Sequence, residues 1–344
     1  NKFSPFFCYC CQNWFDFGHK SGIVKANNYF YNSREFNSLN ANSVLSIIEK
    51  KSTNKLKLND EFDWYMHIPL ELQTLIPRAL SFTSNENYAS LKMEMYGYPP
   101  LSELFIYGNH ELEEWELILK RLFEVHKLLE DYKSELPIDN FNELYINKTW
   151  GRVNELSLQS KEWSEILEYS QIIVNGKSYL NIKYLKANID KTLINIVNSV
   201  NVTIVHGDYC LSNILFDVKS LLCKLIDPRG RLKDKTIYGD PRYDIAKLRH
   251  SVVGGYDFIV HGIFKLERSN NIFYVEKSHI DFQRELEEIF DKLTIDFGYK
   301  VDEIKFIEAL LFLSMIPLHK DSFNRQLMFF VLSVEKFNNY FKTV

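Results

Sequence analysis

Val202-Thr-Ile-Val-His206-Gly-Asp208-Tyr-Cys-Leu-Ser-Asn213-Ile-Leu-Phe-Asp217, followed by Leu221-Leu-Cys-Lys-Leu-Ile-Asp227-Pro-Arg-Gly230, is a short β-rich island in a stretch of helical periodicity. The β-branched residues at its start predict a strand that delivers His206 and Asp208 to a loop. Asn213 ends that loop, and a short hairpin returns a second carboxylate at Asp227. Two carboxylates and an amide, all oxygen donors gathered at strand ends, suit a hard cation such as Mg²⁺.

Outward from the island the pattern is mostly helical. Residues 111–132 place Trp115, Ile118, Leu119, Leu122, Val125 and Leu129 on one stripe, and further helices are predicted over 163–174, 184–199, 280–297, 302–315 and 322–341. Nearer the N-terminus, residues 34–48 read as strand, Asn/Ser-rich turn and strand, with the second strand over 44–48. A helix follows over 55–67, and a hairpin over 78–95 turns at Ser84-Asn-Glu-Asn87. Tyr96-Gly97-Tyr98-Pro99-Pro100 is the natural connector. The expected architecture is α+β: an N-terminal arm over 1–30, a small antiparallel-sheet lobe over 31–97 and a mainly helical lobe over 98–344.

Composition narrows the function classes. Of 344 residues, 41 are Lys or Arg and 45 Asp or Glu, a net charge of −4 that leaves no basic footprint for nucleic acid. No apolar run approaches the ~20 residues of a membrane helix, so membrane insertion is not expected. Five cysteines, at positions 8, 10, 11, 210 and 223, have no framework spacing; a reducing, cytoplasmic setting fits them, with Cys210 and Cys223 as core fillers.

The spacing H-x-D-x₄-N is that of a kinase catalytic loop. The chain here resembles the aminoglycoside phosphotransferase and choline kinase group, small-molecule kinases with a two-lobed protein-kinase-like fold. The match runs through H-G-D-x₄-N-x-[IL], the I-D acid, and Gly239-Asp240-Pro241-Arg242-Tyr243-Asp244-Ile245-Ala246, which is similar to the group's G-D-P-x-Y-D-[LI]-A. The resemblance implies ATP and Mg²⁺ as cofactors. It makes Asp208 the catalytic base or hydroxyl-orienting residue, Asn213 and Asp227 the Mg²⁺ ligands, Asp244 a support of the loop, and His206 its brace.

A nucleotide is then expected between the lobes, its phosphates met by Lys51 and that lysine held by Glu61. Lys50 is the alternative, because strand alternation puts the two lysines on opposite faces. Residues 91–96, with Glu94 and Tyr96, would form the hinge at the adenine edge. The turn expected at 37–42 departs from the group in lacking glycine.

Arg229, Arg242 and His319 are the acceptor-site candidates. The stretch 226–249 is locally basic, which disfavours a polycationic antibiotic. Trp14-Phe-Asp-Phe-Gly-His19 resembles the W-x-D-x-G element near the end of sugar-nucleotide pyrophosphorylase domains. A kinase joined to such a tail resembles two-part bacterial proteins of capsule or lipopolysaccharide precursor assembly. The expectation is a kinase of a sugar or polyol, a small-molecule acceptor, with a fused or neighbouring nucleotidyltransferase domain as partner and Asn1 as a cut inside a longer polypeptide. The alternatives are a choline or ethanolamine kinase and, from another class, a pseudokinase-like binding module.

Overall fold

Trp64 explains where the chain divides. The computed structural model describes residues 37–343 except Ser43; Trp14–His19, Cys8, Cys10 and Cys11 lie outside the described residues. Contacts group the described residues into a smaller unit, 37–59 with 78–95, and a larger one, 60–77 with 96–343. The upper boundary falls two residues before the expected connector limit of 97. Residues 60–77, expected in the small lobe, belong instead with the larger unit. Trp64 and Tyr65 on the helix Lys55–His67, with Ile68, Leu72 and Leu75, are buried there, and the Trp64 indole N–H donates to the Val205 carbonyl at 2.8 Å.

The smaller unit is an antiparallel sheet of β1 (Asn37–Asn42), β2 (Ile47–Ser52), β3 (Ala79–Ser84) and β4 (Ala89–Glu94), in the order β1-β2-β4-β3. Residues 37–42 are therefore a strand and not the expected turn. The turn follows them: the Asn42 side-chain oxygen accepts the Leu45 N–H at 3.1 Å, and Ser46 takes the left-handed conformation at φ 51°. That Asx turn overrides the β-propensity of Val44 and Leu45, leaves both exposed, and starts the second strand at Ile47. Lys50 and Lys51 thereby lie inside β2, opposite Leu91 and Ser90 of β4. At the other hairpin, Asn85 Oδ1 accepts the N–H groups of Asn87 and Tyr88 at 2.9 and 3.0 Å.

The larger unit is mainly helical. The stripe expected over 111–132 becomes the helix Leu112–Glu130, begun by a Glu111/Glu114 capping box; Trp115, Ile118, Leu119, Leu122, Val125 and Leu129 are all buried. Val301–Met315 is apolar nearly all round and packs against Pro241–Val252 and Phe323–Thr343. Among the described residues no helix is long and apolar enough to cross a membrane.

Its strands are β5 (Gln171–Val174), β6 (Lys177–Leu180), β7 (Thr203–Ile204), β8 (Ile214–Asp217), β9 (Leu222–Leu225), β10 (Tyr238–Gly239), β11 (Phe264–Ser269) and β12 (Ile272–Lys277). Within the island β8 pairs with β9, and β7 pairs with β10 beyond it. A second four-stranded sheet, order β11-β12-β5-β6, corrects the helix expected over 163–174, which ends at Glu168. Ile172, Ile173 and Val174 prefer the strand, and Asn175-Gly176, both at positive φ, make the two-residue turn into β6.

Candidate active site

Pro241–Val252 positions most of the site. Asp240 caps this helix by accepting the Arg242 N–H at 3.0 Å, Pro241 fills a first-turn position, and every residue of the helix is buried. One turn in, the Asp244 carboxylate accepts the backbone N–H groups of His206 at 2.6 Å and Gly207 at 2.8 Å. A single buried side chain thus clamps the loop that presents Asp208. Gly207 sits at φ 80°, and a Cβ there would come within 2.7 Å of Arg229 Cβ, so the crossing of the two loops requires glycine.

His206 is fully buried. Its Nδ1 accepts the Asp208 N–H at 3.3 Å, which leaves Nε2 to donate to the Ile226 carbonyl at 2.9 Å. Burial lowers its pKa against the pull of Asp244 and Asp208, so the ring is a neutral brace between the two halves of the island.

Asp208 keeps a partly open carboxylate. Lys247, one turn beyond Asp244, reaches Oδ1 at 2.8 Å, and the Asn213 amide donates to Oδ2 at 3.0 Å and to the Asp208 carbonyl at 2.9 Å. Burial would raise this carboxyl, but the Lys247 ammonium, with Arg229, outweighs it and holds Asp208 ionised far below neutral pH. With Nδ2 of Asn213 committed to Asp208, its Oδ1 is the remaining hard donor.

Asp227 stands two residues after β9 in the left-handed conformation, φ 58°, and its N–H donates to the Tyr65 hydroxyl at 3.2 Å. Among the described residues no three His, Cys, Asp or Glu side chains cluster as a metal cage. Asn213 and Asp227 supply oxygen only, which fits Mg²⁺, an ion that keeps waters and is completed by substrate phosphates. Gly230 follows at φ 65°, where a Cβ would meet the Asp60 carbonyl oxygen at 2.1 Å. The neighbouring Arg231 forms a fork on Asp60, at 2.6 and 3.0 Å.

The acceptor candidates separate. Arg242 is a buried structural clasp and not an acceptor contact: its guanidinium donates to Asp240, to Glu303 at 2.8 Å, to Ser199 and to the Ile196 carbonyl. Arg229 instead lies against Tyr243, with Nη2 3.1 Å from the hydroxyl and the guanidinium 5.1 Å from the ring centre. His319 packs edge-on to Phe329 and lies near Tyr256, in an aromatic group at the Ile316–His319 turn.

On the smaller unit, Lys51 pairs with Glu49 at 3.3 Å and lies over the Tyr88 ring, whereas Lys50 is buried at 5% exposure beside Ser52 on the other face of β2. Glu94 pairs with Arg78 at 3.0 Å. On the larger unit, Glu61 is 1% exposed, and Tyr96 lies beneath the Lys224 ammonium and beside Tyr98.

Two further residues, His126 and Lys148, come from elements the motifs do not include, and they meet Asp244 and Tyr243 of the 239–246 motif. His126, on Leu112–Glu130, lies between Glu130 at 3.1 Å and Asp244 at 3.6 Å; burial opposes its charge, but the two carboxylates raise its pKa to about 9. Lys148 donates to the Tyr243 hydroxyl at 3.1 Å, and burial beside Arg229 lowers its pKa to about 7. Burial would raise the Tyr243 phenol, but Arg229, Lys148 and Lys247 together bring it down to about 6. Tyr243 lies within the 239–246 motif and Lys247 directly follows it, whereas His126 and Lys148 had no such signal. Cys210 and Cys223 are buried, and burial pushes both thiols up, Cys223 to about 11.

No protein-family model matches the chain, and no curated protein matches it by sequence. Solved structures match by shape. A thermostable mutant of aminoglycoside phosphotransferase APH(4)-Ia, in ternary complex with AMP-PNP and hygromycin B, aligns at TM-score 0.55 and 11% identity, over 92% of this chain and 99% of that one. The apo form of such a mutant aligns at 0.53 and 11%, over 88% and 89%. A Plasmodium vivax ethanolamine kinase is a looser match, at 0.42 and 13%, over 92% and 89%. On the two aminoglycoside phosphotransferase structures the fold is their α+β fold, a small antiparallel sheet unit followed by a mainly helical one.

Proposed function

We propose that the chain is an ATP- and Mg²⁺-dependent phosphotransferase that phosphorylates a hydroxyl of a small metabolite, a sugar or polyol of surface-polysaccharide precursor synthesis. The observation that carries the reading is Asp208: an ionised, partly open carboxylate at the tip of a loop clamped by Asp244 and aimed by Lys247 and Asn213. Support for the chemistry also comes from the fold shared with phosphotransferases, one of them complexed with AMP-PNP. The polysaccharide setting is supported by Trp14–His19.

Asp208 accepts the hydrogen bond of the acceptor hydroxyl and fixes its line of attack on the terminal phosphorus of ATP, from which ADP leaves. Because Lys247 holds it far below neutral pH, Asp208 orients the hydroxyl through the loose transition state and takes the proton late. Asn213 and Asp227 would hold Mg²⁺. When bound, that ion neutralises charge on the transferring phosphoryl group. On the smaller unit, Lys51 is our candidate contact to the nucleotide phosphates, with Lys50 the alternative from the buried face.

Asp208→Ala is expected to lower acceptor-dependent ADP release by about 10²–10⁴-fold. Nucleotide binding, followed as a Mg²⁺-dependent thermal shift, should persist. An active variant would sink the assignment, and no metal-dependent nucleotide shift in the parent chain would favour the binding-module reading. Purified chain screened with ATP against sugars, polyols, choline and aminoglycosides identifies the acceptor class.

A further inference from the structure

Beside Asp208 the charges do not balance. Lys148 and Arg229 both donate to the one Tyr243 hydroxyl at 3.1 Å, and both lie over its ring, at 5.3 and 5.1 Å. Arg152, one turn after Lys148 on the helix Lys148–Gln159, places a third cation on the same face and donates to the Ser314 carbonyl at 2.9 Å. Like charges four residues apart destabilise a helix unless something neutralises them. Among the described residues, none of the three has a carboxylate at ion-pair distance: Lys148 and Arg229 share the single Tyr243 phenol, whose pKa they help bring down to about 6, and Arg152 has a carbonyl, so three cations meet at most one anion. Lys247 carries the cluster to the reacting centre, with its ammonium on Asp208 at 2.8 Å and its helix turn shared with Tyr243. Arg229 is held beside the same loop by its N–H to the His206 carbonyl, at 2.9 Å.

We infer that Lys148, Arg152 and Arg229, gathered round Tyr243, form a subsite for an anionic group on the acceptor, so that the molecule phosphorylated is a phosphorylated or carboxylated sugar or polyol and not a neutral one. This rests on the phosphotransferase reading and names its substrate class. Forked guanidinium and ammonium donors match the several oxygens of a phosphate or carboxylate. A quaternary ammonium or a polycationic antibiotic meets repulsion from the same three cations.

Inorganic phosphate is the probe. Calorimetric titration of the purified chain at low salt should show saturable binding, weakened at least about tenfold in Lys148→Met/Arg152→Gln. Lys148→Met alone keeps the aliphatic stem over Tyr243 and should weaken binding in the same direction, which guards against a double variant that folds poorly. Equal affinity in parent and variants overturns the subsite, whatever the activity. Repeating the titration with saturating AMP-PNP and Mg²⁺ distinguishes the two sources of anion: phosphate should still bind, and its displacement would assign the cluster to the nucleotide and overturn the acceptor assignment. In turnover, a sugar phosphate or sugar acid should be preferred over its neutral parent, with the variants raising its KM and leaving the KM for ATP unchanged. Failure of the kinase reading itself shows elsewhere, as Asp208→Ala releasing ADP at the parental rate.

Discussion

Arg242 and Arg229 flank the same helix start and have opposite surroundings. Arg242 is buried against Asp240 and Glu303, with hydroxyl and carbonyl acceptors for its remaining donors; Arg249, two turns on, likewise meets Glu287, Asp291 and Glu308. Arg229 shares a phenol with Lys148, and Arg152 adds to the same excess. A cation whose donors all meet anions and carbonyls holds elements together. A group of cations that outnumbers the one phenol it shares raises the energy of the empty protein, and that energy is recovered when an anion binds.

The largest test of this contrast is to remove one anion from the balanced side. Asp240→Ala strips Arg242 of its nearest carboxylate, removes the Tyr145 hydrogen bond at 2.9 Å and uncaps the helix; it should cost about 3–5 kcal/mol in urea denaturation. A loss under about 1 kcal/mol would mean that the clasp is not structural.

The intermediate test uses pH on His126, a buried cation between two carboxylates. Its folded pKa is raised from 6.5 to about 9, so its contribution is present in full below about pH 6.5 and is lost as pH rises through 9. The size is roughly 3 kcal/mol, and a His126→Phe variant should lack that slope between pH 6.5 and 9. A parental stability curve as flat as the variant's would show the imidazole to be neutral.

The smallest effect belongs to the unbalanced side. Lys148→Met should change stability by no more than about 1 kcal/mol, and in the stabilising direction, because it relieves repulsion. A loss of several kcal/mol would place Lys148 with Arg242 among the structural cations.

How legible the molecule was depended on the sequence distance between partners. The gathering of Asp208, Asn213 and Asp227 was readable because they fall within one short strand, loop and hairpin, and the Asp244 clamp was expected from the resemblance of the 239–246 motif to that of small-molecule kinases. The second sheet also left a local sign, Asn175-Gly176 after Ile172-Ile173-Val174, that outweighs the helical reading of 163–174. The start of β2 was misplaced because the side chain of Asn42, and not the β-propensity of Val44, sets the turn.

His126, Lys148 and Arg152 carried no such sign, since each lies on a helix outside the motifs and gains its role only where that helix packs. The sequence by itself determined which oxygen donors the 206–227 loop and hairpin gather and the helical character around them, because those depend on neighbours along the chain. Which arginine is neutralised and which is left for a ligand was decided by tertiary structure alone. Charge compensation depends on distances in space, and Glu303 and Lys148 reach Arg242 and Tyr243 only through the packing of separate helices.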